Sequence, residues 1–213
     1  MKKYTFTLFC CLLLTGSQTL LFGQAFKPMA NTTVLAQKLK DNANTVKSIS
    51  SNFVQEKHMK MLQDMVKSAG KFYFLQPEKI RIEYTSPFQY LLIMAGGNVV
   101  IKDGKKTTRM NIRNNKAMQS VNQVLMDCMR GTVFSNPDFT AKSSESATQY
   151  RISLSPKSAD LKEYLTGIDI YINKSDFNVT KLIMNEPNGD YTNMMFSHTQ
   201  NNISLSDALF KVH

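Results

Sequence analysis

The stretch VKSAGKFYFLQPEKIRIEYTSPFQYLLIMAGGNVVIKDGKK, residues 66–106, holds the densest strand and turn signals in the sequence. Its run Phe72–Leu75 is aromatic and bulky, which suits the half-buried surface of a sheet. Gln76-Pro77 ends the run because proline has no N–H to donate to a neighbouring strand. The run is therefore predicted to be a strand.

The next run, IRIEY, alternates strictly between apolar and charged residues. Successive side chains of a strand point to opposite faces, so Ile80, Ile82 and Tyr84 are predicted to share one face. Arg81 and Glu83 then lie on the other face. One face of this strand is expected to be buried and the other exposed to solvent.

Turn signals separate this strand from two further apolar runs, Tyr90–Met94 and Val99–Ile101. The breakers are Ser86-Pro87, Gly96-Gly97 and Asp103-Gly104, and the last of these favours the positive φ values of a two-residue hairpin turn. Four strands with such short connections cannot form a parallel α/β unit, which needs long crossovers. The stretch is predicted to be the middle of an antiparallel sheet.

The order of these signals resembles a known family. F-x-Q at Phe53–Gln55 is followed by a glycine-led strand ending in proline at Gly70–Pro77, by I-R-I-E-Y-x-x-P at Ile80–Pro87, and by a D-G-K turn at Asp103–Lys105. Over most of the chain, this resembles the LolA-like periplasmic carriers of outer-membrane lipoproteins. The resemblance implies lipoprotein acyl chains as cargo, held in an apolar cavity. It also implies an inner-membrane transporter and an outer-membrane acceptor as partners, and no cofactor.

The N-terminus is typical of a secretory signal, with Lys2 and Lys3 before an apolar run from about Phe6 to Leu14. A retained anchor is the competing interpretation, but residues 15–19 interrupt the run well short of the roughly 20 residues that a spanning helix needs. Cys10 and Cys11 lie too early for a convincing lipid-attachment site. We predict a cleaved signal over residues 1–25, a single carrier-like domain over residues 26–213, and a periplasmic monomer.

Composition narrows the classes of partner. The formal net charge is +10, and loss of Lys2 and Lys3 leaves +8, yet the basic residues are scattered and form no basic helix. With an exported location this argues against nucleic acid, and it favours either transient contact with an anionic membrane or acidic partner, or a solvated surface. Cys128 is the one cysteine beyond the signal, so no internal disulfide is expected, and it is predicted to be a small buried hydrophobe.

Two helices are predicted outside the central stretch. The first begins at Asn31, Thr32 or Thr33 and runs to about Val46, with an apolar stripe at helical spacing. The second begins at a capping-box pattern, Ser120–Gln123, and ends before Gly131, a favoured residue just past a helix. Val121, Val124, Leu125 and Cys128 are predicted to line one face of the second helix, with Met129 at its edge. This helix is either a lid over the sheet or fixed core packing.

The remaining segments are predicted to be strands, at Ser48–Gln63, Thr107–Ile112, Phe139–Lys142, Tyr150–Leu154, Ile168–Ile172, Phe177–Met184 and Tyr191–Phe196. About ten strands would then follow one another as a meander. A sheet of that size must close or be covered on its apolar face. The predicted fold is mainly β, a curved antiparallel sheet forming an incomplete barrel covered by a few helices, which is also the fold that the resemblance implies.

Catalytic and metal-binding motifs are lacking in the sequence, which has no G-x-S-x-G, no H-E-x-x-H and no phosphate-binding glycine loop. Its three histidines, His58, His198 and His213, are far apart, and none has a partner at ligand spacing. We predict a protein that is not an enzyme and holds no metal.

Candidate cavity residues follow from the apolar faces and from the resemblance. They are Ile80, Ile82, Tyr84, Phe53, Val124, Leu125, and either Phe72 and Phe74 or else Tyr73 and Leu75. Family members are similar in carrying an arginine just before the strand-ending proline, where it bonds to the lid and holds the empty cavity shut. Gln76 stands at this latch position here, and a neutral amide lacks the charge and the donor fork of a guanidinium.

Three functions remain open from the sequence. The first is a periplasmic carrier of lipoprotein acyl chains. The second is a module of the same fold that senses or scaffolds a protein or lipid signal. The third is an exported protein whose concavity is filled by its own side chains and which binds partners on its surface.

Overall fold

The computed structural model describes residues 25–211, apart from residue 62 and residues 112–115, and leaves undescribed the side chains of residues 116–118 and 121. Residues 1–24 of the predicted signal, Ile112 and His213 therefore lie outside the described residues, as does the side chain of Val121. The elements in chain order are β1 (Lys27–Pro28), α1 (Thr33–Thr45), β2 (Ser48–Met59), β3 (Asp64–Leu75), β4 (Lys79–Ser86), β5 (Tyr90–Ala95), β6 (Asn98–Asp103), β7 (Lys106–Asn111), α2 (Lys116–Arg130), β8 (Phe139–Glu145), β9 (Gln149–Pro156), α3 (Ala159–Lys162), β10 (Gly167–Asn173), β11 (Val179–Asn185) and β12 (Tyr191–Asn201).

All twelve strands form one antiparallel sheet, in the order β1-β8-β9-β10-β11-β12-β2-β3-β4-β5-β6-β7. The predicted fold class is confirmed, because this open sheet is accompanied by only three α-helices among the described residues. The prediction of one continuous meander is wrong. Two meanders, β2–β7 and β8–β12, are joined by the pairing of β12 with β2, in which Phe196 lies opposite Phe53.

The predicted boundaries of β4, β5 and β6 are confirmed within two residues, whereas β3 begins eight residues before the predicted Phe72. The alternation of these strands has the predicted faces. Phe72 and Phe74 on β3 are buried together with Ile80 and Ile82 on β4, and Phe74 pairs with Ile80 across the two strands. Tyr73 lies on the opposite face of β3. Burial therefore favours Phe72 and Phe74 as the core-facing pair of this strand.

α1 begins and packs as the sequence predicts. The Asn31 side-chain oxygen accepts a hydrogen bond of 2.8 Å from the Thr33 backbone N–H, which satisfies one of the free donors of the first turn. Leu35, Leu39 and Ala43 recur at helical spacing and are buried. The apolar stripe thus fixes the side of α1 that faces the sheet.

α2 is longer than predicted and begins four residues earlier, at Lys116. The predicted capping box is wrong because Ser120 lies inside the helix, where its hydroxyl donates to a carboxylate oxygen of Asp138 at 2.9 Å. The end of α2 is confirmed, since Gly131 adopts a φ of +67° just past the last helical residue. A Cβ at this glycine would lie 2.4 Å from the backbone of Leu39, so α1 and α2 meet at close range here.

Other strands also differ from the predictions at their ends. The strand predicted at Ser48–Gln63 ends four residues earlier, at Met59, and a turn leads from it to β3 at Asp64. β8 and β12 extend past their predicted ends, to Glu145 and Asn201. The strand predicted from Phe177 begins two residues later, since Phe177 has a φ of +56°, which an extended strand does not allow.

The core consists of two apolar clusters, one on each side of the seam between β2 and β12. The first joins α1 to β8–β11 and includes Val124 of α2, whereas the second lies on β2–β6 and includes Met126 of α2. Leu125 and Phe196 pack against both clusters. α2 therefore bridges the two halves of the sheet.

Candidate functional site

Two small cavities lie beneath α2. The first has a volume of about 40 Å³ and the second about 50 Å³. Both are lined by Ile49, Cys128, Met129, Asn178 and Val179, so they are adjacent chambers between α2, α1 and the seam. We call the two chambers together the seam cavity.

The lining of the first chamber is apolar in chemical character. Its apolar members come from α2 and from both halves of the sheet: Ile49, Phe72, Leu125, Cys128, Met129, Val179, Leu182 and Phe196. Its polar members have partners, because the Ser51 hydroxyl bonds to that of Thr199 at 2.9 Å and the Asn178 side-chain oxygen accepts from Asn201 at 2.9 Å. No charged side chain is among the described residues that line it. Such a lining favours a hydrocarbon guest over a polar one.

The volume of the seam cavity shows whether an acyl chain fits into it. Small-molecule sites are typically about 300–1,000 Å³, far more than either chamber offers. Each chamber has room for only a few water molecules by the usual measure of roughly 10–15 Å³ for one. The seam cavity is therefore too small for a long acyl chain, which enters only if α2 or the side chains beneath it move.

Polar contacts hold α2 to the segment that follows it. The buried Asp127 carboxylate accepts hydrogen bonds from Asn136 at 2.6 Å, from Thr132 at 2.8 Å and from Gln123 at 2.9 Å. The Ser120 hydroxyl bonds to Asp138 just before β8. Hydrogen bonds to a charged acceptor are stronger than neutral ones, so α2 is firmly attached on the β8 side.

On the other side, α2 reaches the β3–β4 turn through Arg130 at its last position. The Arg130 guanidinium donates to the Pro77 carbonyl oxygen at 3.4 Å and lies 3.7 Å from the Glu78 carboxylate. The Arg130 and Glu78 side chains are both nearly half exposed, so water weakens their attraction. Among the polar contacts of α2 that the structure describes, those to the segment before β8 are thus strong and those to the β3–β4 turn are weak.

Gln76, at the predicted latch position, contacts α1. Its side-chain amide donates to the Val46 carbonyl oxygen at 2.8 Å and to that of Ala43 at 3.3 Å, and its backbone N–H donates to the Lys47 carbonyl oxygen at 2.9 Å. These bonds satisfy carbonyl groups that the end of a helix leaves free. A latch function of Gln76 toward α2 stays a prediction, and the residue beside it that meets α2 is Pro77.

The predicted cavity residues fall into three groups. Phe53, Phe74, Ile80 and Ile82 are buried in the second cluster, against which Tyr84 also packs. Val124 belongs to the first cluster. Phe72 and Leu125 line the seam cavity. Their role in binding stays a prediction.

Sequence reasoning missed the part of the lining that comes from β11, β12 and the start of β2: Ile49, Val179, Leu182 and Phe196. Each of these residues lies in a run that the sequence identifies as a strand. Their proximity depends on the β2–β12 pairing, which joins residues about 140 positions apart and leaves no local signal.

Two ionisable groups, one in the lining of the seam cavity and one packed against the second cluster, are held in their neutral form. Burial, and secondarily the neighbouring Asp127 carboxylate, raises the pKa of the Cys128 thiol to about 12. Burial, and secondarily Tyr90, raises the pKa of the Tyr84 hydroxyl to about 12, although its hydrogen bond to Gln55 acts in the opposite direction. A thiol in this form is a poor nucleophile, so Cys128 acts here as an apolar lining residue.

A metal centre and a membrane-spanning helix are both lacking among the described residues. No three His, Cys, Asp or Glu side chains within them are grouped as ligands of one metal ion. None of the helices they form is long and apolar enough to span a membrane.

The model of the family named outer membrane lipoprotein carrier protein LolA matches residues 44–213. The chain belongs to the LolA family. No curated protein matches it. Among solved structures, the LolA-family chain is similar to a domain assigned to outer-membrane lipoprotein sorting from Vibrio parahaemolyticus, at 11% identity and a TM-score of 0.50 over 83% of this chain and 94% of that one.

An uncharacterized conserved protein from Thermus thermophilus is similar at 12% identity and a TM-score of 0.50, over 84% of this chain and 94% of that one. A LolA superfamily protein from Nitrosomonas europaea matches at 12% identity and a TM-score of 0.46, over 83% and 97% of the respective chains. At these identities the similarity concerns the fold.

Proposed function

We propose that this LolA-family protein is a periplasmic carrier that binds the acyl chains of lipoproteins beneath α2 and shuttles them from the inner to the outer membrane. The observation that supports it is the first chamber of the seam cavity, whose lining is apolar and whose cover has only a weak polar contact with the β3–β4 turn. Loading would come from an inner-membrane transporter and unloading would go to an outer-membrane acceptor.

Transfer of an acyl chain from water into the cavity supplies the driving force. Each buried methylene is worth about 0.8 kcal/mol, so a chain of about 16 carbons gains on the order of 10 kcal/mol before the cost of opening is subtracted. α2 would swing away from the β3–β4 turn while Asp127 keeps its other side in place. Met126 and Met129 on the underside of α2 can adapt to the guest, because the thioether side chain is flexible.

Native mass spectrometry of the mature protein with a triacylated lipopeptide tests this proposal. We expect a one-to-one complex with the wild type and its loss in Leu125→Glu, which places a carboxylate in the lining. Val34→Glu is the matched control, because Val34 is an apolar residue on α1 that is 58% exposed. Binding that survives Leu125→Glu would contradict the proposal.

Leu125 is a better test position than Ile80. Ile80 has no exposed surface and lies in the second cluster, so Ile80→Glu would bury an unpaired charge and disrupt folding. Leu125 is only partly buried and sits on a helix, where glutamate is readily accommodated.

A second candidate is a binding module that recognises partners on its surface, with sensing or scaffolding as its role. The small volume of the cavity favours it, since the side chains nearly fill the concavity. A wild-type protein that binds neither the lipopeptide nor an apolar dye would support this second function and exclude the first.

A further inference from the structure

The β2–β3 hairpin extends past the rest of its half of the sheet. β3 begins at Asp64, but its pairing with β4 begins only at Ala69, opposite Ser86. Residues 64–68 therefore project beyond the end of β4. Met61 in the hairpin turn is 91% exposed, and Met65 and Val66 on the projecting strand are each 44% exposed.

A second apolar tip lies on the next loop at the same end of the sheet. β2 and β4 both flank β3 in antiparallel fashion, so the turn after β2 and the loop after β4 emerge on the same side. Phe88 in that loop is 79% exposed. An open cleft of about 480 Å³ separates it from the hairpin, with Val66, Tyr84, Pro87, Phe88 and Tyr90 among its lining residues.

Basic residues surround these tips. The β6–β7 turn emerges at the same end, because Tyr90 at the start of β5 lies opposite Asp103 at the end of β6. Residues 60–67 and 102–106 carry the exposed Lys60, Lys67, Lys102, Lys105 and Lys106, against the exposed Asp64 and Asp103. Lys67 also meets Glu56 at 3.5 Å. The Asp190 carboxylate of the neighbouring β11–β12 turn also lies here, since it accepts a hydrogen bond of 2.9 Å from the Lys60 backbone N–H. Five lysines thus stand against four carboxylates, and the rim is slightly positive.

We propose that Met61, Met65, Val66 and Phe88, here called the tip surface, dock this protein on an anionic lipid bilayer. Exposed apolar side chains that stand on separate loop tips fit a planar interface, whereas a peptide ligand would need a continuous groove. Met61 and Phe88 enter the boundary between headgroups and acyl chains, and the lysines contact the anionic headgroups. This surface is distinct from the seam cavity, and its docking does not require that the cavity hold cargo.

The absence of tryptophan from the sequence allows a direct test. Phe88→Trp places a single tryptophan at the tip surface, and Val34→Trp places one at an exposed apolar position on α1. The mature variants are mixed with vesicles of phosphatidylglycerol and phosphatidylcholine, without cargo. We expect the emission of Phe88→Trp to shift to shorter wavelength and to be quenched by brominated acyl chains, and that of Val34→Trp to stay unchanged.

Flotation with the same vesicles measures the contribution of each part of the surface. Phe88→Ser is expected to lower the partition coefficient about tenfold, because a buried phenylalanine side chain is worth at least one decade of affinity. Val34→Ser is expected to partition as the wild type does. Binding should weaken as salt rises and on vesicles of phosphatidylcholine alone.

Equal partitioning of Phe88→Ser and the wild type, or an unshifted emission from Phe88→Trp, would overturn the proposal and leave a protein partner as the use of this surface. The result is separable from that of the carrier function. Leu125→Glu should partition like the wild type even if it binds no lipopeptide.

Discussion

The Arg130 guanidinium lies 3.7 Å from the Glu78 carboxylate, where the end of α2 meets the β3–β4 turn. The exposed fractions of the two side chains are 43% and 48%, so the pair contributes at most about 1 kcal/mol. An ion pair this weak would allow α2 to open and close under a modest driving force. A deeply buried ion pair at the same place would hold α2 shut.

Arg130→Ala is expected to raise the population of the open state up to about fivefold, the factor that corresponds to about 1 kcal/mol. The rate at which a maleimide modifies Cys128 under native conditions measures this opening, since Cys128 lines the cavity beneath α2. Glu78→Gln should produce a smaller increase because the bond to the Pro77 carbonyl remains. An unchanged rate in Arg130→Ala would show that this contact does not hold α2.

Gln76→Ala should lower the free energy of unfolding by about 1 kcal/mol, because two hydrogen bonds to the end of α1 are lost. Urea denaturation measures this change, and Gln89→Ala, which removes an exposed amide from a loop, is the control. The maleimide rate at Cys128 should stay at the wild-type value. A higher rate would instead identify Gln76 as part of the latch on α2.

Gly131→Ala should lower the free energy of unfolding by at least about 2 kcal/mol, since it combines a strained positive φ with a backbone clash. The φ is +67°, and the added Cβ would lie 2.4 Å from the backbone of Leu39. Gly104→Ala is the matched control because its φ is +55° with open space around the position. If the two variants lose equal stability, the contact between α1 and α2 at Gly131 is not tight.

Stability is expected to fall above about pH 9, where an unfolded chain begins to lose its thiol proton. The pKa values of Cys128 and Tyr84 are raised to about 12 by burial, so the folded state keeps both groups neutral while the unfolded chain ionises them. Their contribution is fully present below the unfolded pKa values and is lost as pH rises toward 12. Urea midpoints at a series of pH values measure this. Cys128→Ala should flatten the part of the decline that begins near pH 9, and an unaltered curve would exclude the thiol as its cause.

Local patterns were sufficient to predict the central strands. Alternation in IRIEY placed Ile80 and Ile82 on the buried face. The turn glycines marked the ends of β5 and β6, and the prolines at positions 77 and 87 marked the ends of β3 and β4. Gly131 likewise marked the end of α2. Each of these features depends on residues a few positions apart, so a single sequence carries the information.

Features that depend on distant residues were missed. Ser120 satisfies a capping pattern, yet its hydroxyl bonds to Asp138, and α2 extends past it. The partner of Gln76 is the end of α1, about 30 positions away. The lining of the seam cavity follows from the pairing of β12 with β2. Contacts between residues so far apart in the sequence form only when the chain packs, and local sequence preferences do not encode them.

The pairing of β2 with β12 also determines when the sheet can be completed during synthesis of the polypeptide. Synthesis proceeds from the N-terminus, so β2–β7 can form by neighbouring hairpins while one edge of β2 still lacks its partner. An open edge invites pairing with another chain, and the hazard persists until β12 has been made. The bond from the Lys47 N–H to Asn202 and that from the Ser48 hydroxyl to the Ile203 carbonyl fasten the late segment beside the early one. A nascent chain that stops before Tyr191 would leave this edge bare and would be a target for aggregation or proteolysis.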